Sequence, residues 1–248
     1  MTEQRRKRPS PRCANHNIQR LNLDRLDGIK LLQQLEPRAH DVSTQSKIPD
    51  LTKWLWEQTI QYHQQALDTP FIQGMKNGTL DPALFGVYNL QDAVYCYNAT
   101  ECLKIVKENS HGSMKEFADS KIEAYKDYTE SMFEMWHVLN PSGVKMNRAA
   151  QMYSAHELDV AKNMDPIYSF ISMIPCLRLW PWLGQRLRNT PHNFGVYENW
   201  IDTNLSGDGY QHMEEFVNDQ FSNINEGKAL DVYRTSMMYE YEFFNSVQ

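Results

Sequence analysis

Apolar residues recur every three to four positions along most of the chain from Leu51 onward. That spacing is typical of amphipathic α-helices, and sustained two-residue alternation bounded by turn residues is absent from the sequence, so strands are not expected. The predicted fold class is all-α. Turn and capping residues divide the pattern into helices predicted at 51–68, 82–107, 114–139, 146–163, 166–188, 194–204, 210–224 and 227–245.

Two of the predicted helix starts carry a capping residue followed by proline, which is tolerated at the first helical position. Asp81-Pro82 precedes the helix predicted at 82–107, and Asp165-Pro166 precedes the helix predicted at 166–188. These two helices are therefore the ones with the best-defined beginnings.

The first 50 residues have a different pattern from the rest. Arg5-Arg6-Lys7-Arg8 lies in a stretch without apolar periodicity, a helix-like set of leucine and isoleucine follows at 21–35, and 40–47 is polar. We expect a basic disordered tail, a short helix and a linker over 1–50, and one helical domain over 51–248. The basic run is either a solvated tail or a nuclear or other targeting signal.

Composition and charge exclude several classes of protein. With 248 residues, 41% of them hydrophobic and 23% charged, the chain is long enough and apolar enough for a globular core. A net charge of −6 argues against nucleic-acid binding over the fold, which requires a dense face of Lys and Arg. The longest apolar stretch, 167–184, contains Arg178 and two prolines, so no membrane span is expected.

The four cysteines include no CxxC pair, and no secretory signal peptide precedes them. A disulfide framework is therefore not expected. We predict reduced thiols and a cytoplasmic protein, with the basic tail leaving nuclear or other targeting open.

Three reactive residues interrupt the apolar faces of predicted helices: Asp92, Cys176 and Glu240. Removing an unpaired charge from water costs several kcal/mol, so a carboxylate on such a face must find a partner, stay protonated or line a cavity. Two carboxyl groups and a thiol in such positions indicate a binding pocket.

The two carboxyl groups each have two interpretations. Asp92 shares a helix face with Tyr88 and Tyr95, so it is either a core carboxylate held by a hydroxyl or an arginine, or the acceptor for a ligand N–H group. Glu240 lies among aromatic residues of the last predicted helix, where desolvation is expected to raise its pKa. It is either a buried structural glutamate or a general acid and base.

The third reactive residue, Cys176, belongs to an apolar stripe of the helix predicted at 166–188. Pro175 and Pro181 each remove one backbone N–H from that helix, which predicts a kink near the thiol. The cysteine is either an inert small apolar residue or a nucleophile.

The remaining motifs indicate less. Glu108-x-x-His111 and Glu134-x-x-His137 have the spacing of di-iron ligands in helical bundles, but we interpret the pair as coincidence and predict no metal site. His156 is interpreted as a satisfied polar residue. The sequence lacks HExxH, GxSxG, P-loop glycine and GxGxxG patterns, which removes several common enzyme classes.

Several short segments occur in an order that is characteristic of one known family. They are PFIQGMKNGTL at 70–80, Phe85, Tyr88, LQD at 90–92, YSAH at 153–156, IPC at 174–176, LG at 183–184, Tyr197, WI at 200–201 and YEYEF at 239–243. In this combination the chain resembles the TenA family of thiaminase II and aminopyrimidine hydrolases, over about Trp54 to Phe244.

The resemblance implies a single-domain, haem-oxygenase-like helical bundle, usually without haem, metal or organic cofactor and commonly a homotetramer. It implies hydrolysis in which Cys176 adds to an electrophilic ring carbon of a 4-aminopyrimidine and Glu240 exchanges protons with a ring nitrogen. Asp92 would hydrogen-bond the amino-pyrimidine edge. The further residues implied to surround the ring are Tyr88, Tyr95, Tyr153 and Phe243.

This chain departs from the pattern of the family at two positions. Where the family typically has tyrosines one turn after the cysteine and just past the Trp-Ile pair, the chain has Trp180 and Asn204. An indole donates only through its ring N–H, and an asparagine side chain is much shorter than a tyrosine. Both residues are expected in the substrate site, and they leave the substrate and the retention of turnover open.

Three hypotheses about function follow. The leading one is a cofactor-independent hydrolase of thiamine or thiamine-derived aminopyrimidines, serving thiamine salvage, with a small molecule rather than nucleic acid or membrane as its partner. The second is a catalytically weak or inactive small-molecule binding protein on the same fold. The third is a di-iron or PqqC-like oxidase, which would require stoichiometric metal or consumption of oxygen.

Overall fold

The computed structural model describes residues 48–205 and 209–247. Within these ranges the chain forms α-helices joined by short turns and no β-strand, which confirms the predicted all-α class. The helices are α1 (Leu51–Glu57), α2 (Ile60–Leu67), α3 (Pro70–Lys76), α4 (Pro82–Glu108), α5 (Gly112–Met135), α6 (Arg148–Asn163), α7 (Ile167–Arg188), α8 (Glu198–Leu205), α9 (Gly209–Asp219) and α10 (Glu226–Asn245). The predicted basic tail and short helix lie outside the described residues.

The helices α4 and α7 begin at the two Asp-Pro pairs, where the sequence predicted helix starts. Asp81 Oδ1 accepts a 2.8 Å hydrogen bond from the backbone N–H of Ala83. Asp165 Oδ1 accepts a 3.2 Å bond from the N–H of Ile167. Each aspartate thus satisfies one of the N–H groups that a helix start leaves without an intrahelical partner.

The predicted helix 51–68 is two helices instead of one. The buried Thr59 hydroxyl donates to the carbonyls of Leu55 and Trp56, both at 3.1 Å, and so satisfies the last turn of α1. A threonine side chain that bonds backbone carbonyls in this way competes with the helical ladder. The chain therefore turns at 58–59 before α2 begins.

Helix α3 was missed in the sequence. It begins with Thr69, whose hydroxyl accepts from the N–H of Ile72 at 3.4 Å, and with Pro70 in the first turn. This is the same cap-and-proline signal that was used for α4, in a segment too short to show clear periodicity.

Helix α5 ends at Met135, four residues before the predicted end. His137 has a φ of 54°, and the N–H of Val138 donates to the Phe133 carbonyl at 2.8 Å. This arrangement is a Schellman-type helix end, which usually contains glycine. Because this helix end contains no glycine, the sequence pattern did not indicate that α5 ends at Met135.

Helix α10 lies against α7, α6 and α2, and α4 packs against α5 and α6. The fully buried Tyr88 ring occupies the centre of an aromatic cluster, with ring centroids 4.6 Å from Phe71, 5.0 Å from Phe243 and 5.5 Å from Phe244. Burial of such rings supplies much of the stabilising apolar contact of a core. The five helices that carry the predicted site residues, α4, α6, α7, α8 and α10, all contribute to one core.

Helix α7 contains the long apolar stretch and continues through Pro175 and Pro181. Its charged residue, Arg178, forms a 2.5 Å ion pair with Glu214 and stacks over the Trp56 ring at 4.3 Å. No helix among residues 48–205 and 209–247 has both the length and the apolar character that a membrane span requires.

Candidate active site

A cavity of about 800 Å³ lies between α4, α5, α7 and α8, next to the start of α9. A chamber of this size accommodates a small heterocyclic ligand. Among its polar wall residues are Asp92, Cys176 and Asn204. The other wall residues include Phe85, Tyr88, Asn89, Cys96, Tyr125, Tyr128, Met132, Trp136, Trp180, Asn199, Trp200, Thr203 and Tyr210.

Cys176 and Glu240 are brought together by the packing of α7 against α10. The Cys176 side chain faces the cavity, and the Glu240 carboxyl group is buried behind it with 2% of its surface exposed. The thiol lies close enough to hydrogen-bond the carboxyl group and lower its pKa. A thiol and an acid therefore meet at the edge of one chamber.

The Glu240 carboxyl group retains its proton near neutral pH. Burial raises its pKa to about 8, and the nearby negative charge of Asp92 acts in the same direction. Interactions with Tyr153 and Cys176 oppose this rise only in part. A carboxyl group of this kind can donate a proton at pH 7 and take one back afterwards.

The Cys176 thiol is also held in its protonated form. Burial raises its pKa well above the ordinary value, and the negative charges of Glu240 and Asp92 add to the effect. The sequence analysis did not anticipate so strong a preference for the thiol, because the neighbours of Cys176 were unknown. A thiolate at Cys176 therefore requires transfer of the proton to a nearby base.

Asp92 faces the cavity from α4 and is bonded to a tyrosine that the sequence did not point to. The Tyr128 hydroxyl of α5 donates to Asp92 Oδ2 at 2.9 Å. Burial raises the Asp92 pKa to about 6, and the Tyr128 bond offsets part of the rise. Within the described residues no donor is bonded to Oδ1, which can therefore accept from a ligand N–H group.

Three of the predicted binding residues lie behind the cavity wall. The Tyr95 and Tyr153 rings stack with centroids 4.5 Å apart, and Phe243 packs against Tyr88. Tyr95, Tyr153 and Phe243 are each no more than 2% exposed. Their predicted direct contact with a substrate stays a prediction, whereas Tyr88 is part of the wall itself.

A sequence model of the TENA/THI-4/PQQC family matches residues 55–248. The chain belongs to this family. That match confirms the family indicated by the short segments of the sequence, and it spans all ten helices except the first residues of α1.

Two relatives and one solved structure illustrate the similarity to the TENA/THI-4/PQQC family. The aminopyrimidine aminohydrolase of Bacillus subtilis is 24% identical over 190 residues, which cover 71% of this chain and 80% of that protein. The thiamine biosynthesis multifunctional protein ThiED of Corynebacterium efficiens is 27% identical over 182 residues, which cover 67% of this chain but only 24% of that protein. A TenA family transcription regulator from Silicibacter sp. TM1040 has a TM-score of 0.67 at 17% identity, over 79% of this chain and 96% of that chain, which shows a shared fold.

The two residues that depart from the TenA pattern both line the cavity. Trp180 packs edge-on against Trp200 at 4.5 Å and Phe244 at 4.7 Å, so its indole forms part of the wall and leaves the chamber open. Asn204 donates its side-chain N–H to the Trp200 carbonyl at 2.8 Å, within its own helix. Neither residue supplies the hydroxyl that the resemblance implied.

The sequence analysis missed three polar residues at or near the site. Tyr125 and Tyr128 belong to α5, and the buried Tyr125 hydroxyl has no partner among the described residues. Glu157 interrupts the apolar face of α6 formed by Tyr153 and Val160. That is the same signal that identified Asp92 and Glu240, so Glu157 could have been found in the sequence.

The remaining candidate residues lie elsewhere. His156 hydrogen-bonds the Ser236 hydroxyl at 3.1 Å, which confirms its interpretation as a satisfied polar residue. Glu108 ends α4 and His111 precedes α5, outside the cavity wall. In the part of the chain that the structure describes, no three His, Cys, Asp or Glu side chains are grouped as a metal site would require.

Proposed function

We propose that this member of the TenA family is a cofactor-independent hydrolase of aminopyrimidines, acting on thiamine or on a thiamine breakdown product. The observation that supports it most is the convergence of Cys176, Glu240 and Asp92 at one cavity. Two relatives, an aminopyrimidine aminohydrolase and a thiamine biosynthesis protein, favour the same substrate class. The homotetramer implied by the resemblance and the cytoplasmic location predicted from the cysteines stay predictions.

Asp92 recognises the amino group of the substrate in this proposal. With a pKa of about 6, its carboxyl group is ionised in most molecules at pH 7. Oδ2 is held by Tyr128, and Oδ1 accepts the exocyclic N–H of the pyrimidine. The aromatic wall formed by Tyr88, Trp180 and Trp200 packs against the flat ring.

In the first chemical step, Glu240 acts before Cys176. Glu240 donates its proton to a ring nitrogen, which makes the neighbouring ring carbon more electrophilic. The resulting carboxylate then accepts the proton of the Cys176 thiol as the sulfur forms a bond to that carbon. One proton leaves Glu240 and one returns to it, so the step needs no thiolate in the resting protein.

Water completes the proposed reaction. Addition of sulfur interrupts the conjugation of the ring, which allows the bond between the exocyclic methylene and its amine or thiazolium leaving group to break. Water then adds to the methylene carbon, the sulfur leaves the ring and Cys176 recovers its proton. The net reaction consumes one water and releases a hydroxymethyl-aminopyrimidine together with the leaving group.

Purified full-length protein incubated with aminomethyl-aminopyrimidine, and separately with thiamine, tests the proposal. We expect hydroxymethyl-aminopyrimidine by liquid chromatography and mass spectrometry, and a loss of at least about 100-fold in Cys176→Ser and Glu240→Gln. Cys102→Ser is the matched control, because Cys102 is a buried thiol on α4 outside the cavity wall. No turnover of either compound, or equal rates in all variants, would refute the enzyme.

A second candidate function, a non-catalytic binding protein for the same ligands, is favoured by Trp180 and Asn204. Both residues lack the hydroxyl that would donate hydrogen bonds to the thiol and the substrate. Isothermal titration calorimetry distinguishes the two functions. Tight binding of aminomethyl-aminopyrimidine by a preparation that yields no product would support the binding protein and exclude the hydrolase.

A further inference from the structure

Glu157 is a buried carboxyl group that the proposed reaction does not use. It lies on α6, one turn after Tyr153, with 2% of its surface exposed. Its Oε1 accepts a 2.7 Å hydrogen bond from the Tyr95 hydroxyl. Among the described residues, the buried Oε2 has no hydrogen-bond partner. A polar atom in this state is costly in a folded protein, and such groups concentrate where function requires them.

Tyr95 connects Glu157 to the proposed acid. The Tyr95 ring stacks on Tyr153 at 4.5 Å, and the Tyr153 hydroxyl lies near enough to Glu240 to lower the pKa of that carboxyl group. The Tyr153 hydroxyl has no partner among the described residues that meets full hydrogen-bond geometry. The four side chains form a continuous buried path from α6 through α4 to α10.

We propose that Glu157 is a positioning residue of the candidate active site: through its hydrogen bond to Tyr95 it holds Tyr95 and the stacked Tyr153 against Glu240, which couples the two carboxyl groups. The role of Glu240 as the acid rests on the proposed function. The coupling of Glu157 to Glu240 and Cys176 does not, because it follows from the positions of these side chains in the fold.

Among the described residues, no cation pairs with Glu157. The titratable groups that interact with it are Tyr153 on its own helix, Tyr95, Cys96 and Cys102 on α4, Tyr125 on α5, Cys176 on α7 and Glu240 on α10. None of the ion pairs found among the described residues includes Glu157. Two buried carboxyl groups without a cation between them cannot both ionise readily, so they titrate as a coupled pair.

The coupling between Glu157 and Glu240 raises the pKa of each carboxyl group when the other is ionised. Burial raises the pKa of Glu157 to about 8; the Tyr95 hydrogen bond opposes this rise, and the charge of Glu240 contributes to it. By reciprocity, an ionised Glu157 raises the pKa of Glu240. Removal of the Glu157 charge therefore allows Glu240 to ionise at lower pH. If Glu240 must be protonated to act as the acid, activity is then lost at lower pH as well.

Glu157→Gln tests the charge while it keeps an oxygen that can accept the Tyr95 hydrogen bond. We expect the alkaline limb of kcat/KM for aminomethyl-aminopyrimidine to move to lower pH, with the rate at pH 6 changed by less than about threefold. Asp159→Asn is the matched control, since it removes an exposed carboxylate from the same helix and should leave the limb in place. Glu157→Asp keeps the charge and should preserve the limb, so a limb that moves in this variant would contradict the role of the charge even if Glu157→Gln does not fold.

Alkylation of Cys176 gives a measurement that needs no turnover. Folded full-length protein is treated with iodoacetamide over a pH series, and the modified Cys176 peptide is quantified by mass spectrometry. The charge of Glu157 contributes to the raised pKa of the thiol. We expect Glu157→Gln to speed the labelling at pH 8.5 by about threefold, because one nearby negative charge is gone.

The outcomes separate this inference from the proposed function. A shift in both measurements supports the role of Glu157. If the wild type converts no substrate but the labelling of Cys176 still shifts, the hydrolase is refuted and the coupling of Glu157 to the site stands. A uniform loss of rate with an unmoved alkaline limb and unchanged labelling would overturn the inference, and so would no change in either measurement.

Discussion

The Tyr128 hydroxyl of α5 donates a 2.9 Å hydrogen bond to Oδ2 of Asp92 on α4. Tyr128 is 45% exposed, whereas Asp92 faces the interior of the cavity. The bond stabilises the ionised form of Asp92 and so opposes the rise in pKa that burial causes. A residue near the surface thus controls the charge of the group that is proposed to recognise the substrate.

Tyr128→Phe is expected to weaken ligand binding in a pH-dependent way. Without the hydroxyl, the Asp92 pKa rises above its value of about 6, and fewer molecules carry the carboxylate at pH 6.5. We predict about threefold weaker binding of aminomethyl-aminopyrimidine at pH 6.5 and no difference at pH 8.5, by calorimetry. Tyr97→Phe, on the same helix as Asp92 but outside the cavity wall, is the control. Unchanged or tighter binding at pH 6.5 would contradict this role.

Glu240→Gln is expected to stabilise the protein at alkaline pH. Folding raises the Glu240 pKa from 4.5 to about 8. Between pH 4.5 and about pH 8, the folded protein therefore keeps a proton on Glu240 that the unfolded protein has released. The stability contributed by this group is complete below about pH 4.5 and is lost as the pH rises through about 8. Glutamine cannot ionise, so the variant avoids this loss.

Chemical denaturation at pH 5 and pH 9 measures the effect. We predict that the free energy of unfolding of Glu240→Gln exceeds that of the wild type at pH 9 by a few kcal/mol, and that the excess is absent or reversed at pH 5. Glu242→Gln is the control, because Glu242 is an exposed carboxylate on the same helix. An equal pH dependence in Glu240→Gln and wild type would show that Glu240 is not the titrating group.

Gly78→Ala is expected to be strongly destabilising. Gly78 has a φ of +65°, and a Cβ at this position would lie 2.6 Å from the backbone oxygen of Asn193. Both the backbone conformation and the contact oppose a side chain, so we predict a loss of about 2–4 kcal/mol in thermal or chemical unfolding. Gly143→Ala, where a Cβ meets no atom within 4 Å, should change stability by less than about 1 kcal/mol. Similar losses in both variants would refute the steric argument.

Trp180→Tyr is expected to raise activity at a small cost in stability. The change removes indole contacts with Trp200 and Phe244, and it places a hydroxyl one turn after Cys176 in the cavity wall. A new hydrogen bond to the reacting groups is predicted to increase kcat/KM by about tenfold, with a stability loss of about 1–2 kcal/mol. Trp182→Tyr makes the same change outside the cavity and should not raise activity. A lower rate in Trp180→Tyr would show that the indole itself supports the reaction.

The sequence was sufficient to find Asp92, Cys176 and Glu240 because each is a reactive group on an otherwise apolar helix face. Helical periodicity is a local property, and so it can be read without knowledge of the fold. The same reasoning would have identified Glu157 on α6 had it been applied to that helix. The cap and proline that begin α3 were also present in the sequence.

The partners of these groups could not be predicted in the same way. Whether Tyr128 reaches Asp92 depends on the relative rotation and height of α4 and α5, which no periodic pattern specifies. The placement of Glu240 behind Cys176 depends likewise on the packing of α10 against α7. The preference of Cys176 for the protonated thiol then follows from its burial in this packing and from acidic neighbours on three other helices.

The pH dependence of kcat/KM for aminomethyl-aminopyrimidine tests most directly whether Glu240 acts as the acid for a protonated Cys176. Asp92 must be ionised and Glu240 must be protonated, so the profile should be bell-shaped, rising through about pH 6 and falling through about pH 8. A rate that continues to increase well above pH 8 would mean that a preformed thiolate is the nucleophile, and it would contradict the proposed order of proton transfer.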